Sequence, residues 1–525
     1  MRLPRLEENS NVSRQSIINF RGLNYSCRTN DGEFEDCLNL STDDYPCLSQ
    51  RKKRQELSSY TNPTTLFSKS GLFIIDGTAV KYRAIDSDSF TVVGTVTAGK
   101  KQMAAIGNYV LIFPDKKYYN ISSQEFGDME AAYVSSENQI SFNGSAEGSD
   151  TDAMKYSTIT TTGKNFNFRV GDAIEVTGCT VNPENNKTLV IRAVEDKVLK
   201  FYENSFTTGA ETGVITLKRV IPDLDYICEN NYRLWGCKGD TIYASKYSDP
   251  LNFQVFDGLT SDSYYIQVGS DGEFTGCISY SSYICFFKED VLHRLYGNKP
   301  SNYQVLTSNI FGVQAGCERS MCIINETLYY LSRNGVYAYT GGVPELISDN
   351  FGTKRFTDAC SGSDGNKYYI CMKSGDEVGI FNYDVLRGLW LKEDNTKVLD
   401  FADIEGQLYF ISDDNKLYKM SVDDSPEVIE WSATFCPFTE MVNERKGYSK
   451  LNLRAELDAD AWLKIEIKVD DEVWRTVYTT HNEHAKTVVI PIYPNRCDCF
   501  KVRLSGKGYC KIKSFVRDFY VGSEV

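Results

Sequence analysis

The sequence predicts an all-β protein: a β-propeller of about seven blades, with an inserted small β-barrel domain and a C-terminal β-sandwich. Three observations predict it. A short aromatic-rich hairpin recurs seven times along the chain. The usual interval between recurrences, about 40–50 residues, is the length of chain that one propeller blade takes. The rhythm then breaks in two places, once in a long gap after the second hairpin and once near residue 430.

The hairpins are LFIIDGTAVKYR (72–83), YVLIFPDKKYYNI (109–121), RLWGCKGDTIYAS (233–245), YICFFKEDVLHRLYG (283–297), LYYLSRNGVYAYTG (328–341), YYICMKSGDEVGIFNYD (368–384) and LYFISDDNKLYKM (408–420). Their turns fall near Asp76, Pro114, Lys238, Lys288, Asn334, Gly375 and Asp414, at successive separations of 38, 124, 50, 46, 41 and 39 residues. One separation is too long by about two repeats, so it holds an insertion or a hidden blade. The 34 Tyr and 28 Phe suit sheet surfaces, where flat rings pack across strands.

Residues 1–56 read as an N-terminal arm. It holds a strand at SIINFRGL (16–23), and a strand of the arm is able to close the ring by completing the last blade. The arm ends in a basic run, RKKR (51–54), which reads as a solvated edge; a subunit contact is the sharper alternative. Residues 57–135 form the first part of the propeller, with helical character only in EFGDMEAAYV (125–134). SSENQISFNGSAEGSDTDAMKYSTITTTG (135–163) is a linker by composition. It leads into alternating apolar positions (Phe168, Val170, Ile174, Val176; Leu189, Ile191, Ala193; Val198, Leu199, Phe201) that place a small β-barrel within 136–218. The propeller resumes over 219–430. Over 431–525 longer alternating strands follow, KLNLRAEL (450–457), WLKIEIKVD (462–470), KTVVIPI (486–492), CFKVRLSG (499–506) and CKIKSFVRDFYVG (510–522), the pattern of a β-sandwich.

Charge and cysteine usage narrow the function classes. The net charge of −14 is uneven: residues 431–525 hold 15 Lys and Arg against 13 Asp and Glu, and the rest of the chain 42 against 58. A surface of that sign does not grip a phosphate backbone in bulk, and it suits ordinary solubility or a wall past which nucleic acid slides. No run approaches the 18 uncharged apolar residues of a membrane span, and MRLPRLEENSNVSRQ has no apolar core of a secretory signal. The N-x-S/T triplets at Asn120, Asn186 and Asn325 read as chance without one. The 16 Cys are scattered, with no C-x-x-C, as expected of buried free thiols in a reducing compartment rather than of a disulfide or zinc framework.

Catalytic constellations find little support. GTVTAGK (94–100) meets the first seven positions of a phosphate-cradling loop, but the eighth is Lys101 where Ser or Thr should hold Mg²⁺, and no helix follows. The three histidines are His293, inside a hairpin, and His481 and His484 in the hydrophilic loop HNEH, so a Ser/His/Asp or Cys/His relay lacks raw material. The pairs Asp43/Asp44, Asp413/Asp414 and Asp470/Asp471 lie in turn sequences, and Asp86/Asp88 lacks the Gly and distal Glu of a calcium loop. GSDGEFTG (269–276) and SGSDGNKYY (361–369) approach the sialidase turn S-x-D-x-G-x-x-W but lack its Trp. The sequence therefore offers no catalytic, cofactor-binding or metal-binding residue, no cofactor, and no enzyme.

Three strings together carry a resemblance: NLSTDDYPCLSQRKKR (39–54), RLWGCKGDTIYASKYSDPLNFQVFDG (233–258) with FTGCISYSSYICFFKEDVLHRLYGNKPSNYQ (274–304), and IYPNRCDCFKVRLSGKGYCKIKSFVRDF (492–519). They resemble the propeller-bearing tail nozzle or hub proteins of short-tailed bacteriophages and prophages. The likeness is one of repeat style over most of the chain, not of a diagnostic motif, and the insert at 136–218 departs from it. It implies a structural virion protein of the tail, assembled in the host bacterial cytoplasm. It also implies a homo-oligomeric ring, six copies in that family, with adaptor, portal and fibre proteins as partners and DNA passing through without specific binding. The alternatives are a receptor- or glycan-binding adsorption protein and a propeller glycan hydrolase.

Overall fold

The structure, a computed structural model, describes residues 12–146, 155–481, 486–493 and 496–521. It is a β-propeller protein, with no α-helix among the described residues. Each of the seven expected hairpins forms the central pair of a four-stranded antiparallel sheet. Numbered in chain order, blades 1 to 7 have central strands Gly71–Asp76 with Ala79–Ala84, Tyr109–Phe113 with Lys117–Asn120, Arg233–Lys238 with Thr241–Ala244, Tyr283–Phe287 with Val291–Tyr296, Thr327–Ser332 with Gly335–Tyr339, Lys367–Ser374 with Glu377–Asp384, and Gln407–Ser412 with Lys416–Val422.

The chain divides into two compact units. One is Pro63–Glu318, with blades 1 to 4 and the insertion; the other is Met1–Asn62 with Arg319–Val525, holding blades 5 to 7 and the C-terminal sheets. Within the first unit, successive blades share apolar cores. Phe73, Ile75 and Val80 of blade 1 pack with Val110, Ile112 and Tyr119 of blade 2. Leu111 and Phe113 of blade 2 pack with Ile227 and Leu234 of blade 3, and Trp235 and Ile242 of blade 3 with Ile284 and Phe286 of blade 4. A strand covered on both faces reads as a nearly continuous apolar run, as residues 72–75 and Tyr283–Phe287 do, both buried throughout. In the second unit Tyr329 of blade 5 stacks on Tyr368 of blade 6, ring centroids 5.3 Å apart, and Cys371 and Ile380 of blade 6 share a core with Leu408 and Phe410 of blade 7.

The long gap contains an insertion, not a blade. Ala131–Val134 and Thr216–Arg219 pair with each other at its base, in a sheet with Ala173–Thr177 and Thr188–Val190. A second sheet is made by Ile140–Ala146, Tyr156–Thr161, Ala193–Glu195, Val198–Tyr202 and Gly209–Ala210. Both sheets close on one core that includes Phe142, Ile159, Ile174, Leu199 and Leu217.

Three local expectations are corrected. The stretch 125–134 is two strands, Glu125–Asp128 and Ala131–Val134, because pairing with Lys117–Asn120 and Thr216–Arg219 outweighs local helical preference. In the segment 135–163 the described residues, 135–146 and 155–163, are not linker: Ile140, Phe142 and Ile159 are buried in the insertion core, and the composition masked that alternation, while 147–154 lie outside the described residues. Phe166 and Phe168 also reach this core, but from chain outside any strand, and Val170 is exposed.

The N-terminal arm is woven into the second unit. Its strand does not run through 16–23 but forms Val12–Ile17, on Cys510–Val521, and Gly22–Leu23, parallel to residues 33–34. Glu33–Leu38 pairs with Glu430–Phe435, and Leu48–Gln50 with residues 511–512. Lys53–Ser59 then supplies the fourth strand of blade 7, against Lys416–Val422. The C-terminal strands Lys446–Leu457, Trp462–Val469, Lys486–Pro491, Phe500–Lys507 and Cys510–Val521 fall into two sheets. These face each other through Tyr448 on Phe500 (centroids 4.0 Å apart) and Phe435 on Phe515 (5.2 Å).

Candidate functional site

Several of the residues singled out in the sequence have identifiable partners within the fold. Lys101, at the metal position of the phosphate-loop-like run, is 2% exposed; its ammonium meets Asp115 at 2.5 Å and donates to Thr97 Oγ1 at 2.7 Å. Burial pushes the Asp115 carboxyl up, but Lys101 and the Thr97 donors outweigh it and hold it low. His293 is buried, Nε2 2.8 Å from Ser270 Oγ and Nδ1 2.9 Å from Thr307 Oγ1. Burial, assisted by Lys288, pushes its pKa down to about 4. His481 is exposed, and His484 lies outside the described residues.

In each of the pairs Asp43/Asp44, Asp413/Asp414 and Asp470/Asp471 at least one carboxylate is held by a protein donor. Asp414 accepts from the Lys416 amide and the Tyr418 hydroxyl, Asp470 from the amides of Asp498 and Cys499. Asp43 binds Lys367 at 2.5 Å, and Asp44 binds Lys511. In SGSDGNKYY, Asp364 holds its own turn through the amides of Asn366 and Lys367. Among the described residues no group of three or more His, Cys, Asp or Glu side chains is placed to hold a metal ion.

The basic run is the clearest departure from expectation. Arg51 and Arg54 are not solvated: each is 7% exposed. Arg54 reaches Glu393 at 2.6 Å and Asp394 at 2.5 Å, and Arg51 reaches Glu427 at 2.8 Å. The run anchors the strand that completes blade 7. Its partners lie more than 300 residues away, so neighbouring residues gave no sign of them.

Blade 3 carries a surface built on a long, tethered loop. Between Thr241–Ala244 and Tyr264–Gln267 its chain makes a long loop, and the buried Arg233 ties that loop down. The guanidinium donates to the carbonyls of Ser245 (2.7 Å), Asp262 (2.5 Å) and Thr260 (2.8 Å). The insertion is bolted to the same loop. Asp172, fully buried, takes Arg219 Nη1 at 2.8 Å and Asn252 Nδ2 at 3.2 Å, while Asn252 Oδ1 accepts from the Ala173 amide at 3.0 Å. Ala173 and Val190 of the insertion pack on Val255 of the loop, and Arg192 meets Asp257 at 2.7 Å.

Two open clefts of about 520 and 500 Å³ flank this loop, and Phe256 and Tyr265 line both. The two rings stand edge to face, centroids 5.8 Å apart, with Phe256 55% and Tyr265 60% exposed. Sequence reasoning missed this surface. The one signal was the 50-residue spacing between the turns near Lys238 and Lys288, the widest apart from the insertion.

Comparison with known proteins gives loose likenesses only. No family description matches the sequence, and no curated protein matches it. Among solved structures, BamB from Moraxella catarrhalis is 10% identical with a TM-score of 0.36, over 72% of this chain and 99% of that one. An exo-beta-1,3-galactanase from Phanerochaete chrysosporium is 9% identical with a TM-score of 0.23, over 55% and 94%. Hsv2 from Kluyveromyces lactis is 10% identical with a TM-score of 0.25, over 65% and 96%. At such scores none of them bears on what this chain does.

Proposed function

We propose that the protein is a structural virion component: a ring-forming tail nozzle or hub through which phage DNA passes. The reading begins from the three strings that resemble such proteins. The observation that supports it most is how each unit is locked internally. In one, the arm is stitched by ion pairs and strand pairing into the C-terminal sheets and blade 7. In the other, the Asp172 hub fixes the insertion to blade 3. Parts fixed in this way present constant surfaces, which is what closed rings of identical copies require. The acidic charge of residues 1–430 would keep DNA from adhering as it passes.

Native mass measurement of the full chain, with averaged particle images, tests the proposal. A closed oligomer with a central opening, six copies by the resemblance, is the expected result. A protein that stays monomeric at micromolar concentration, alone and with the portal and adaptor proteins of its own phage, would overturn it.

A further inference from the structure

We propose that the Phe256–Tyr265 ridge of blade 3 is a binding site for an uncharged oligosaccharide, one sugar ring lying in each of the flanking clefts. Four observations carry this. The two aromatic faces are more than half exposed, yet Tyr265 stands in the strand Tyr264–Gln267 and Phe256 on a loop held by three hydrogen bonds from the buried Arg233, so little ordering is needed on binding. Sugar rings present flat C–H faces that stack on such rings, while their hydroxyls need acceptors.

Just beneath the wall of each cleft lies a buried acceptor that lacks a hydrogen-bond partner. In the first it is Asp262 Oδ1: the residue is only 4% exposed, and its other oxygen already takes the amides of Gly258 (2.6 Å) and Leu259 (3.0 Å). In the second it is Gln254 Oε1. An acceptor left unpaired is costly, and a small shift of the wall that brings it to a ligand hydroxyl recovers that cost only in the complex. Finally, no Lys or Arg lines either cleft. Single-stranded nucleic acid also stacks on aromatic rings, but it needs a positive groove for its phosphates, and here the fixed charge is a carboxylate. The chemistry selects a neutral, hydroxyl-rich ligand long enough to cross the ridge. This inference holds whether or not the chain forms a ring.

The test is calorimetry and array binding with the full-length protein, using neutral hexasaccharides (maltohexaose, cellohexaose, xylohexaose) and a printed array of neutral bacterial glycans. Tetrameric sialic acid and a ten-nucleotide oligothymidine serve as the acidic probes. Expected is binding to at least one neutral glycan, weakened roughly tenfold or more by Tyr265→Ala and by Phe256→Ala. Tyr265→Phe should keep most of it, and Tyr493→Ala, an exposed ring elsewhere on the chain, all of it. Thermal melting of each variant checks that the fold is intact. No binding to any neutral glycan at millimolar concentration would overturn the proposal. So would preference for an acidic probe, or binding that the two ring truncations leave unchanged.

Discussion

Arg54 meets Glu393 at 2.6 Å with only 7% and 5% of the two side chains exposed. The pair joins the N-terminal arm to blade 6, and Asp394 completes it on the other guanidinium nitrogen. Removing one partner of a buried pair leaves a charge with neither water nor counter-ion. Arg54→Ala is therefore expected to cost about 3–5 kcal/mol in chemical unfolding of the unit that contains it. Lys52→Ala, whose side chain is half exposed beside an exposed Asp423, should lie within about 0.5 kcal/mol of the parent. Equal melting of the two variants would mean that the arm is held by strand pairing alone.

Burial gives His293 a pH signature. Its folded pKa is lowered to about 4 from 6.5, so between those values the unfolded chain binds the proton that the folded chain refuses. Stability is full above pH 6.5 and falls as pH drops toward 4, by about 3 kcal/mol at most. Below that range carboxylates such as Asp518, held low by Arg14, and Asp394, held low against its own burial by Arg54 and Arg51, take over the acid loss. Between pH 7 and about pH 4.5 the urea midpoint of the parent should fall, while that of His293→Gln falls by less. Parallel curves would place the imidazole in contact with water.

The blades were legible in the sequence because each hairpin carries its pattern within about fifteen residues, as in LFIIDGTAVKYR with its Asp76–Gly77 turn. Gly77 has φ 61°, a value open to glycine without strain. What escaped was everything set by distant partners. The arginines of the arm look solvated until Glu393, Asp394 and Glu427 are brought beside them. The strands Ile140–Ala146 and Tyr156–Thr161 look like linker because Ser141, Asn143, Thr158 and Thr160 fill the face that turns away from Phe142 and Ile159. Arg233, a charged residue opening a buried strand, is intelligible only beside the three carbonyls to which it donates.

The hub of the insertion predicts a localised loss of protection. Asp172 balances Arg219 in a fully buried setting and also grips Asn252. Asn252→Ala removes the bond to the Ala173 amide without creating a buried charge. Hydrogen exchange should then quicken in Ala173–Thr177 and in the loop at 245–263, while Gly71–Asp76 of blade 1 stays protected. Uniform quickening across blades 1 to 4 would show that the insertion is part of one cooperative unit with them.

Thiol chemistry offers a test of packing across the whole chain. None of the sixteen cysteines is joined in a disulfide, eleven are buried, and only Cys27 is exposed. Burial pushes the thiols of Cys37, Cys322, Cys436 and Cys497 up to about 12, where the reactive thiolate is scarce at pH 8. Cys371 is the exception, drawn down by its cross-strand neighbour Cys360, yet it is only 2% exposed. A disulfide reagent at pH 8 should therefore label one thiol rapidly, and Cys27→Ser should abolish that fast phase. The half-buried Cys47, Cys228, Cys322 and Cys499 should follow slowly, and the remainder only in denaturant. Rapid labelling of Cys237, Cys277 or Cys285 would be incompatible with the tight packing of blades 3 and 4.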